Sequence, residues 1–593
     1  MADSDVELQT FIDTAKKVMT ELYALEVEDQ FEEPPEGYPH GKGDKVFVKA
    51  IKGHREAIEQ ILKAFASNKP VLLASPTGTG KTAVYLTLIA RLGAKALIIT
   101  PRNGLQEDIM NYKVDYPIKV LEGKAKMCSL MNQLSEEELV ELDKQPPCAL
   151  RVKQYDKKRE KVVEVFPFKG DLLEYPCENC PVFEILRWFK DAEPPCALIV
   201  NQGNFWVSIR WADFVIVDEA DEVARSIVDQ VSVFFTEKPP DDIVERLGKA
   251  IENVGTQIEV VDDELLKYTA NDLGNSQKRQ EILSLRRKRD KLERKLRKLK
   301  FFARHIENLM SIIDRGRNGY WVRFRLFRED PLSIFRELVK RSTDDSRPDA
   351  YLLLVTATPP RESLNYEIVS FYRPMKARVI YVPIENMSYT HTVKVNGKNF
   401  KKPAKFIAEV ANFAWRLLGE RAKFVNHIGN LHTHARIMED ELRKLGLRVK
   451  TMEQGAQAES IQEFLNSDSY DILQVVCAEY GYDWEDIPVQ FIVKVPYHPK
   501  GDQWLPEIKR VLGSRFDDWY TWDALQKIIQ ASGRNARTPE KIAVTFIIDK
   551  QFERVMLRFA DKVPSWFMER LYVITPEGKY LPASHVFLTG GGK

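Results

Sequence analysis

The run Val71-Leu72-Leu73-Ala74, followed by Ser75, Pro76, Thr77, Gly78, Thr79, Gly80, Lys81 and Thr82, constrains the fold of this chain more than any other stretch. An apolar segment of strand length leads into a loop of small residues, and the helix-like stretch Ala83 to Leu92 follows. In such a strand–loop–helix unit the glycines let backbone N–H groups turn toward an anion at the helix N-terminus. Lys81 adds a point charge suited to β- and γ-phosphates, and the Thr82 hydroxyl can ligate Mg²⁺. Ser75 stands where the first glycine of a phosphate loop usually does.

A cradle alone does not hydrolyse. The segment Phe214-Val215-Ile216-Val217-Asp218-Glu219-Ala220-Asp221 reads as a buried strand ending in acids. Asp218 is placed to hold Mg²⁺, and Glu219 to orient and deprotonate an attacking water. Near the C-terminus stands Gln530-Ala531-Ser532-Gly533-Arg534-Asn535-Ala536-Arg537, whose Arg534 and Arg537 carry guanidinium groups suited to a phosphate anion. Taken singly, the acids could be strand-end caps and the arginines a solvated helix pair. Their joint order and spacing point to nucleotide hydrolysis.

A chain of 593 residues exceeds the ~250–300 residues at which single cores stop growing, so several domains are expected. The 88 basic and 87 acidic residues leave a net charge of +1, so any contact with a polyanion must use local patches. The first thirty residues lack a basic n-region and an apolar h-region, and no apolar span approaches the ~20 residues that cross a bilayer. The expectation is an intracellular protein, cytoplasmic or nucleoid-associated, that does not use a membrane. Residues 5–28 carry Leu8, Phe11, Ile12, Ala15, Val18, Met19 and Leu22 at helical spacing, and a Pro/Gly-rich linker follows at 32–41.

From residue 45 to 115 helix and strand alternate, with near-continuous apolar strands of the kind buried on both faces of a parallel sheet. The rhythm breaks over 120–185 and again over 225–345, and a second α/β unit begins near 376. In the second break, Ile282, Leu285, Leu292, Leu296, Leu299, Ile306 and Met310 fit heptad positions, with Arg289 interrupting, which predicts a helical hairpin. The same stretch is dense in Lys and Arg between Lys278 and Lys300. A solvated face is the ordinary reading of such a run; attraction of phosphates is the other. Trp206, Tyr320 and Trp321 are aromatics with two competing readings: core residues, the commoner role in a chain of this size, and stacking platforms for a single strand.

Five of six cysteines lie between Cys128 and Cys196. Three readings of Cys128, Cys148, Cys177 and Cys180 stay open on spacing: buried thiols, a zinc site built on Cys177-x-x-Cys180, or an iron–sulfur cluster. Cys196 and Cys477 each border an apolar strand and read as buried thiols.

The order of the loop, the acid box and the Gln530–Arg537 segment resembles that of superfamily 2 helicases. The cysteine-bearing insertion, opened by Glu122-Gly123-Lys124-Ala125-Lys126-Met127-Cys128 and closed by Cys180-Pro181-Val182-Phe183, together with the later 225–345 insertion, is similar to that of the XPD/DinG family of iron–sulfur helicases. The resemblance implies an α/β fold of two RecA-like parallel-sheet motor domains, with an iron–sulfur insertion and a mainly helical Arch insertion in the first. The division expected is 1–44 N-terminal helical extension and linker; 45–119, 186–224 and 346–375 first motor domain; 120–185 cluster domain; 225–345 Arch; 376–593 second motor domain.

It further implies ATP in the cleft, with Gln530 sensing the γ-phosphate and Arg534 and Arg537 reaching it from the second domain as arginine fingers, Mg²⁺ on Thr82 and Asp218, and a 4Fe–4S cluster on Cys128, Cys148, Cys177 and Cys180, with Cys196 as the alternative to Cys148. It implies 5′-to-3′ tracking by a monomeric motor on single-stranded or forked DNA. Thr100-Pro101-Arg102-Asn103 resembles the segment that contacts the nucleic-acid backbone, and Thr356-Ala357-Thr358-Pro359 the one linking hydrolysis to strand movement. Gly481 and Asp483 match the nucleotide-contacting Glu-Gly-x-Asp segment, although Tyr480 stands in place of its Glu; Asp221 stands where close relatives carry His. The rival expectations are an ATPase that remodels complexes without unwinding, the motor part of a nuclease system, and a non-catalytic scaffold.

Overall fold

The protein is described by a computed structural model covering residues 2–588, apart from 28–29, 48, 77, 102, 123, 129, 136–141, 143–144, 157–160, 169–170, 176–179, 204, 206–207, 329, 341–347, 358–365, 372, 388–397, 420–421, 429–431, 453–456, 477–486, 500, 533–534 and 536–540. Two parallel sheets organise the chain. The first runs Glu367–Val369, Val71–Ala74, Tyr351–Thr356, Phe214–Asp218, Lys95–Thr100, Cys196–Asn201, Ile118–Leu121 in space. Every neighbouring pair in it is parallel. Its central strands bury side chains on both faces, the reason they read as unbroken apolar runs.

The second sheet is ordered Val449–Thr451, Ile472–Val475, Phe424–His427, Val489–Ile492, Ala543–Asp549, Ala377–Glu385, Leu571–Ile574, Tyr580–Pro582, parallel except for the last pair. The N-terminal helix Ala2–Ala24 packs on this second unit, burying Leu8, Phe11, Ile12, Ala15 and Val18 against the helix Lys401–Leu418. The chain therefore starts on one unit, crosses to build the other, and returns.

Two segments leave the first sheet. One carries an antiparallel sheet of Val152–Asp156, Lys161–Phe168 and Asp171–Tyr175. The other is not helical throughout: the paired helices Ile243–Leu266 and Ser276–Phe302 are flanked in the chain by the strands of a three-stranded antiparallel sheet, Val231–Phe235 before them and Leu309–Gly316 and Gly319–Leu326 after. The heptad pattern marked the helix Ser276–Phe302 as far as Leu299, but Ile306 falls in a short 3-10 stretch and Met310 in the strand Leu309–Gly316; the alternation in Ser311 to Leu326 went unread because its basic outward positions mimic a solvated helix face. Arg286 ties the two segments, donating to the Arg151 carbonyl at 2.7 Å and to Glu164 at 3.2 Å. Among the described residues, no helix is long and apolar enough to cross a membrane.

Candidate nucleotide site

The strand Val71–Ala74 ends at the phosphate loop, and the helix Lys81–Leu92 begins directly after it. Gly78 and Gly80 sit at φ +77° and +83°, in the left-handed region that favours glycine. At Gly80 space forbids a side chain as well: a Cβ there would lie 2.8 Å from the His54 ring. Lys81 Nζ donates to the carbonyls of Ser75 (2.8 Å) and Pro76 (2.9 Å), folding back over the loop. Thr79 Oγ1 donates to Pro76 O at 2.8 Å. Ser75 justifies its departure from glycine: its hydroxyl accepts the Phe371 N–H at 2.9 Å, tying the loop to the segment that leaves the first sheet. Thr77 lies outside the described residues.

Asp218 closes the strand Phe214–Asp218 and is buried. Burial, helped by the Glu219 carboxylate, pushes its carboxyl up to about 6, while Lys81 pulls the other way. Tyr85 OH donates to Asp218 Oδ2 at 3.3 Å and the Glu219 N–H to Oδ1 at 3.0 Å. A carboxylate forced into a dry site beside a second acid is one that a divalent cation relieves. With Thr82 on the facing helix, these donors suit Mg²⁺: a hydroxyl and a carboxylate, both hard oxygens. Glu219 itself holds φ +48°, ψ +52° at the cap of the helix Ala220–Val228, a backbone state a non-glycine residue adopts at a cost of about 1 kcal/mol.

The third acid of the box faces the second unit. Asp221 Oδ1 accepts from Thr356 Oγ1 at 2.9 Å, and Asp221 Oδ2 accepts from the Gln530 side-chain amide. One carboxylate thus joins the acid box, the Thr356 segment and the Gln530 helix Phe516–Ser532. Gln530 is engaged by Asp221, a partner that sequence reasoning did not assign to it. Arg534, Arg537, Gly481, Asp483, Arg102 and Thr358 lie outside the described residues.

Several residues of the site went unread in the sequence. His54 Nε2 meets the Thr79 carbonyl at 2.8 Å and its Nδ1 meets Tyr38 OH at 2.9 Å. Burial lowers the His54 ring to about 4, so it stays neutral, with Nε2–H donating to the carbonyl and Nδ1 accepting from the tyrosine. Tyr38 lies in what composition marked as a linker. Arg373 donates to the Gly78 carbonyl at 3.0 Å. None of these belongs to a periodic pattern, and only the folded loop brings them together.

The cysteines implied for a cluster are partly placed. Cys128, Cys148 and Cys180 are half-buried, and Cys177 lies outside the described residues. The short helix Lys124–Met127, ending beside Cys128, packs on the helix Pro181–Asp191, which starts beside Cys180. Among the described residues, no three Cys, His, Asp or Glu side chains converge as a metal-ligand set. The described thiols therefore do not by themselves make a cluster site, and no step of the mechanism runs through one. Cys196 is wholly buried at the start of the strand Cys196–Asn201, with its thiol pushed up by burial, and belongs to the core.

Much of the basic run is structural. Lys278 pairs with Asp272, Arg289 with Asp262 and Glu293, and Lys298 donates to the Ser226 carbonyl. Of the aromatic candidates, Trp321 is 46% exposed, Tyr320 is half-buried, and Trp206 lies outside the described residues.

The family model for a helicase C-terminal domain matches residues 422–570, and that for the type III restriction enzyme res subunit matches residues 48–163. No curated protein matches the chain. Among solved structures, one titled "XPD_Helicase" is similar at 15% identity over 86% of this chain and 97% of its own, with a TM-score of 0.47. The structure of S. tokodaii Xpd4 is similar at 13% identity over 88% of this chain and 99% of its own, with a TM-score of 0.47. The ATP-dependent type ISP restriction-modification enzyme LlaBIII bound to DNA is similar at 12% identity over 89% of this chain and 32% of its own, with a TM-score of 0.40.

Proposed function

We propose that this chain, a superfamily 2 helicase of the XPD/DinG-like kind, hydrolyses ATP between its two parallel-sheet units to track 5′ to 3′ along single-stranded DNA and separate strands ahead of it. The observation that carries this reading is the junction at Asp221, where residues of the acid box, of the first sheet's Thr356 and of the second unit's Gln530 share one carboxylate. Two units that meet beside a phosphate loop form a site that exists only when they are closed, and hydrolysis there is coupled to their opening.

In the reaction, backbone N–H groups of the loop and Lys81 hold the phosphates; Lys81 exchanges its two carbonyl acceptors for phosphate oxygens. Mg²⁺ on Thr82 and Asp218 would neutralise charge between the β- and γ-phosphates. Glu219 accepts a proton from the water as its oxygen bonds to the γ-phosphorus, and the bond to the β–γ bridging oxygen breaks, leaving ADP and inorganic phosphate. Arg534 and Arg537, four and seven residues beyond Gln530, are proposed to reach the γ-phosphoryl from the second unit. Gly481 and Asp483 are proposed nucleotide contacts on that unit, with Ser75 to Thr82 on the other.

The division into two RecA-like motor domains, a 120–185 cluster domain and a 225–345 Arch is part of the same proposal, as is a 4Fe–4S cluster on Cys128, Cys148, Cys177 and Cys180, whose support is the resemblance. The test is strand displacement on forked DNA with ATP. Displacement that requires ATP and a 5′ tail supports the reading; ATP hydrolysis stimulated by DNA without displacement would leave a remodelling translocase in its place.

A further inference from the structure

The hairpin of the second insertion does not stop at the first unit. Its strands Leu309–Gly316 and Gly319–Leu326 reach the helix Leu505–Leu512 of the second unit, where Met310 and Phe327 pack with Trp504, Ile508 and Leu512 in a separate apolar cluster. Arg323 and Arg325 each place their guanidinium 5.9 Å from the centre of the Trp504 ring. Arg323 also donates to the Gln503 side chain and is steadied by Asp314 across the hairpin at 2.7 Å. A Trp clasped by two cations over an apolar floor is a specific seam, since the ring face attracts guanidinium groups and the floor excludes water.

The seam continues toward the nucleotide site. Phe327 meets Trp519 edge to face at 5.3 Å, and Trp519 stacks on His498 at 5.5 Å. His498 pairs with Asp523 at 3.0 Å, and Asp523 with Lys527 at 3.1 Å. Burial opposes ionisation of Asp523, but Lys527, His498 and Arg225 of the acid-box helix hold its carboxyl well below the usual range. Trp519, Asp523, Lys527 and Gln530 all lie on the one helix Phe516–Ser532. A helix rises 1.5 Å per residue, so this helix spans about 16 Å from the seam residue Trp519 to the Asp221 junction.

We propose that the Trp504 seam couples the second insertion to the nucleotide state: the helix Phe516–Ser532 acts as a rigid lever with Gln530 at one end and, toward the other, Trp519 packed against Phe327 of the seam. The proposal rests on the two-unit ATP site described above. When nucleotide draws the units together at Asp221, the hairpin 309–326 moves with the second unit, so the insertion is driven by the same stroke that moves a bound strand.

Backbone hydrogen exchange of the full chain with and without a non-hydrolysable ATP analogue tests this. In the unmodified chain, the analogue should protect the loop 75–82 and change exchange in the hairpin 309–326 by about threefold or more. In Trp504→Ala, and in Arg323→Gln/Arg325→Gln, which leaves the apolar floor intact, the loop should stay protected while the hairpin response is lost. A hairpin that responds equally in the variants, or never responds although the loop is protected, overturns the seam proposal alone. Absence of protection at the loop in the unmodified chain overturns the ATP site, and the seam proposal with it.

Discussion

Gln530, on the last turn of the helix Phe516–Ser532 in the second unit, donates its side-chain amide to the Asp221 carboxylate of the first. The same carboxylate holds Thr356 at 2.9 Å, so it is occupied on both oxygens. Replacing Gln530 with Ala should lower ATP turnover about 10- to 100-fold while leaving nucleotide binding to the first unit largely in place. A double-mutant cycle with Asp221→Ala should return a coupling of about 0.5–3 kcal/mol, the range found for residues in one network. Additive effects of the two changes on turnover would show that the contact does not serve closure.

Lys81 is satisfied by two loop carbonyls before any phosphate arrives. Both carbonyls belong to buried residues, so Lys81→Ala should cost about 1–3 kcal/mol of stability by leaving them without this donor. It should reduce ATP turnover by at least about 100-fold, the scale of losing one preorganised charge at a developing anion. Thermal melting beside a phosphate-release assay separates the two effects; DNA-stimulated turnover at the unmodified rate would refute the role given to Lys81.

His54 and His427 are both lowered to about 4 by burial. The unfolded chain takes up protons near pH 6.5 that the folded chain refuses until near pH 4. Their contribution to stability is thus whole above pH 6.5 and is lost as the pH falls through that window, by about 1.4 kcal/mol for each ring at pH 5.5. Urea unfolding at pH 7.5 and 5.5 reads the loss, and His54→Gln should shrink it. A loss unchanged in that variant would mean that the His54 ring is charged in the folded protein.

Iron content decides the cysteine reading. The purified protein should carry iron, show broad absorbance in the visible blue, and lose both in Cys180→Ser. That variant should keep measurable ATP hydrolysis, because the strand Ile118–Leu121 that leads to Cys128 is an edge strand five places from Val71–Ala74 in the sheet, and should lose strand displacement. Stoichiometric zinc without iron would reject the cluster.

The strands around the phosphate loop were legible because burial on both faces writes an unbroken apolar run, and Val71–Ala74, Phe214–Asp218 and Tyr351–Thr356 are such runs. The placing of Asp218 at the end of a buried strand was legible for the same reason, whereas Gln530, read as a γ-phosphate sensor, is bonded to Asp221. What stayed hidden is long-range and aperiodic. His54 under Gly80, Arg373 on Gly78 and the Phe371–Ser75 bond are single contacts between segments far apart in sequence. Trp504 was one aromatic among many until the hairpin 309–326, itself masked by its basic outward positions, was seen to close on it. The N-terminal helix was readable as amphipathic, but which unit it covers was not, since an apolar stripe names no partner.

The most direct measurement of the central claim is ATP hydrolysis by the full chain with and without single-stranded DNA, in the unmodified protein and in Lys81→Ala and Gln530→Ala. The account predicts hydrolysis that DNA stimulates, abolished by the change in the first unit and strongly reduced by the change in the second. Hydrolysis indifferent to Gln530, or no hydrolysis with DNA present, would contradict a nucleotide site shared between the two units.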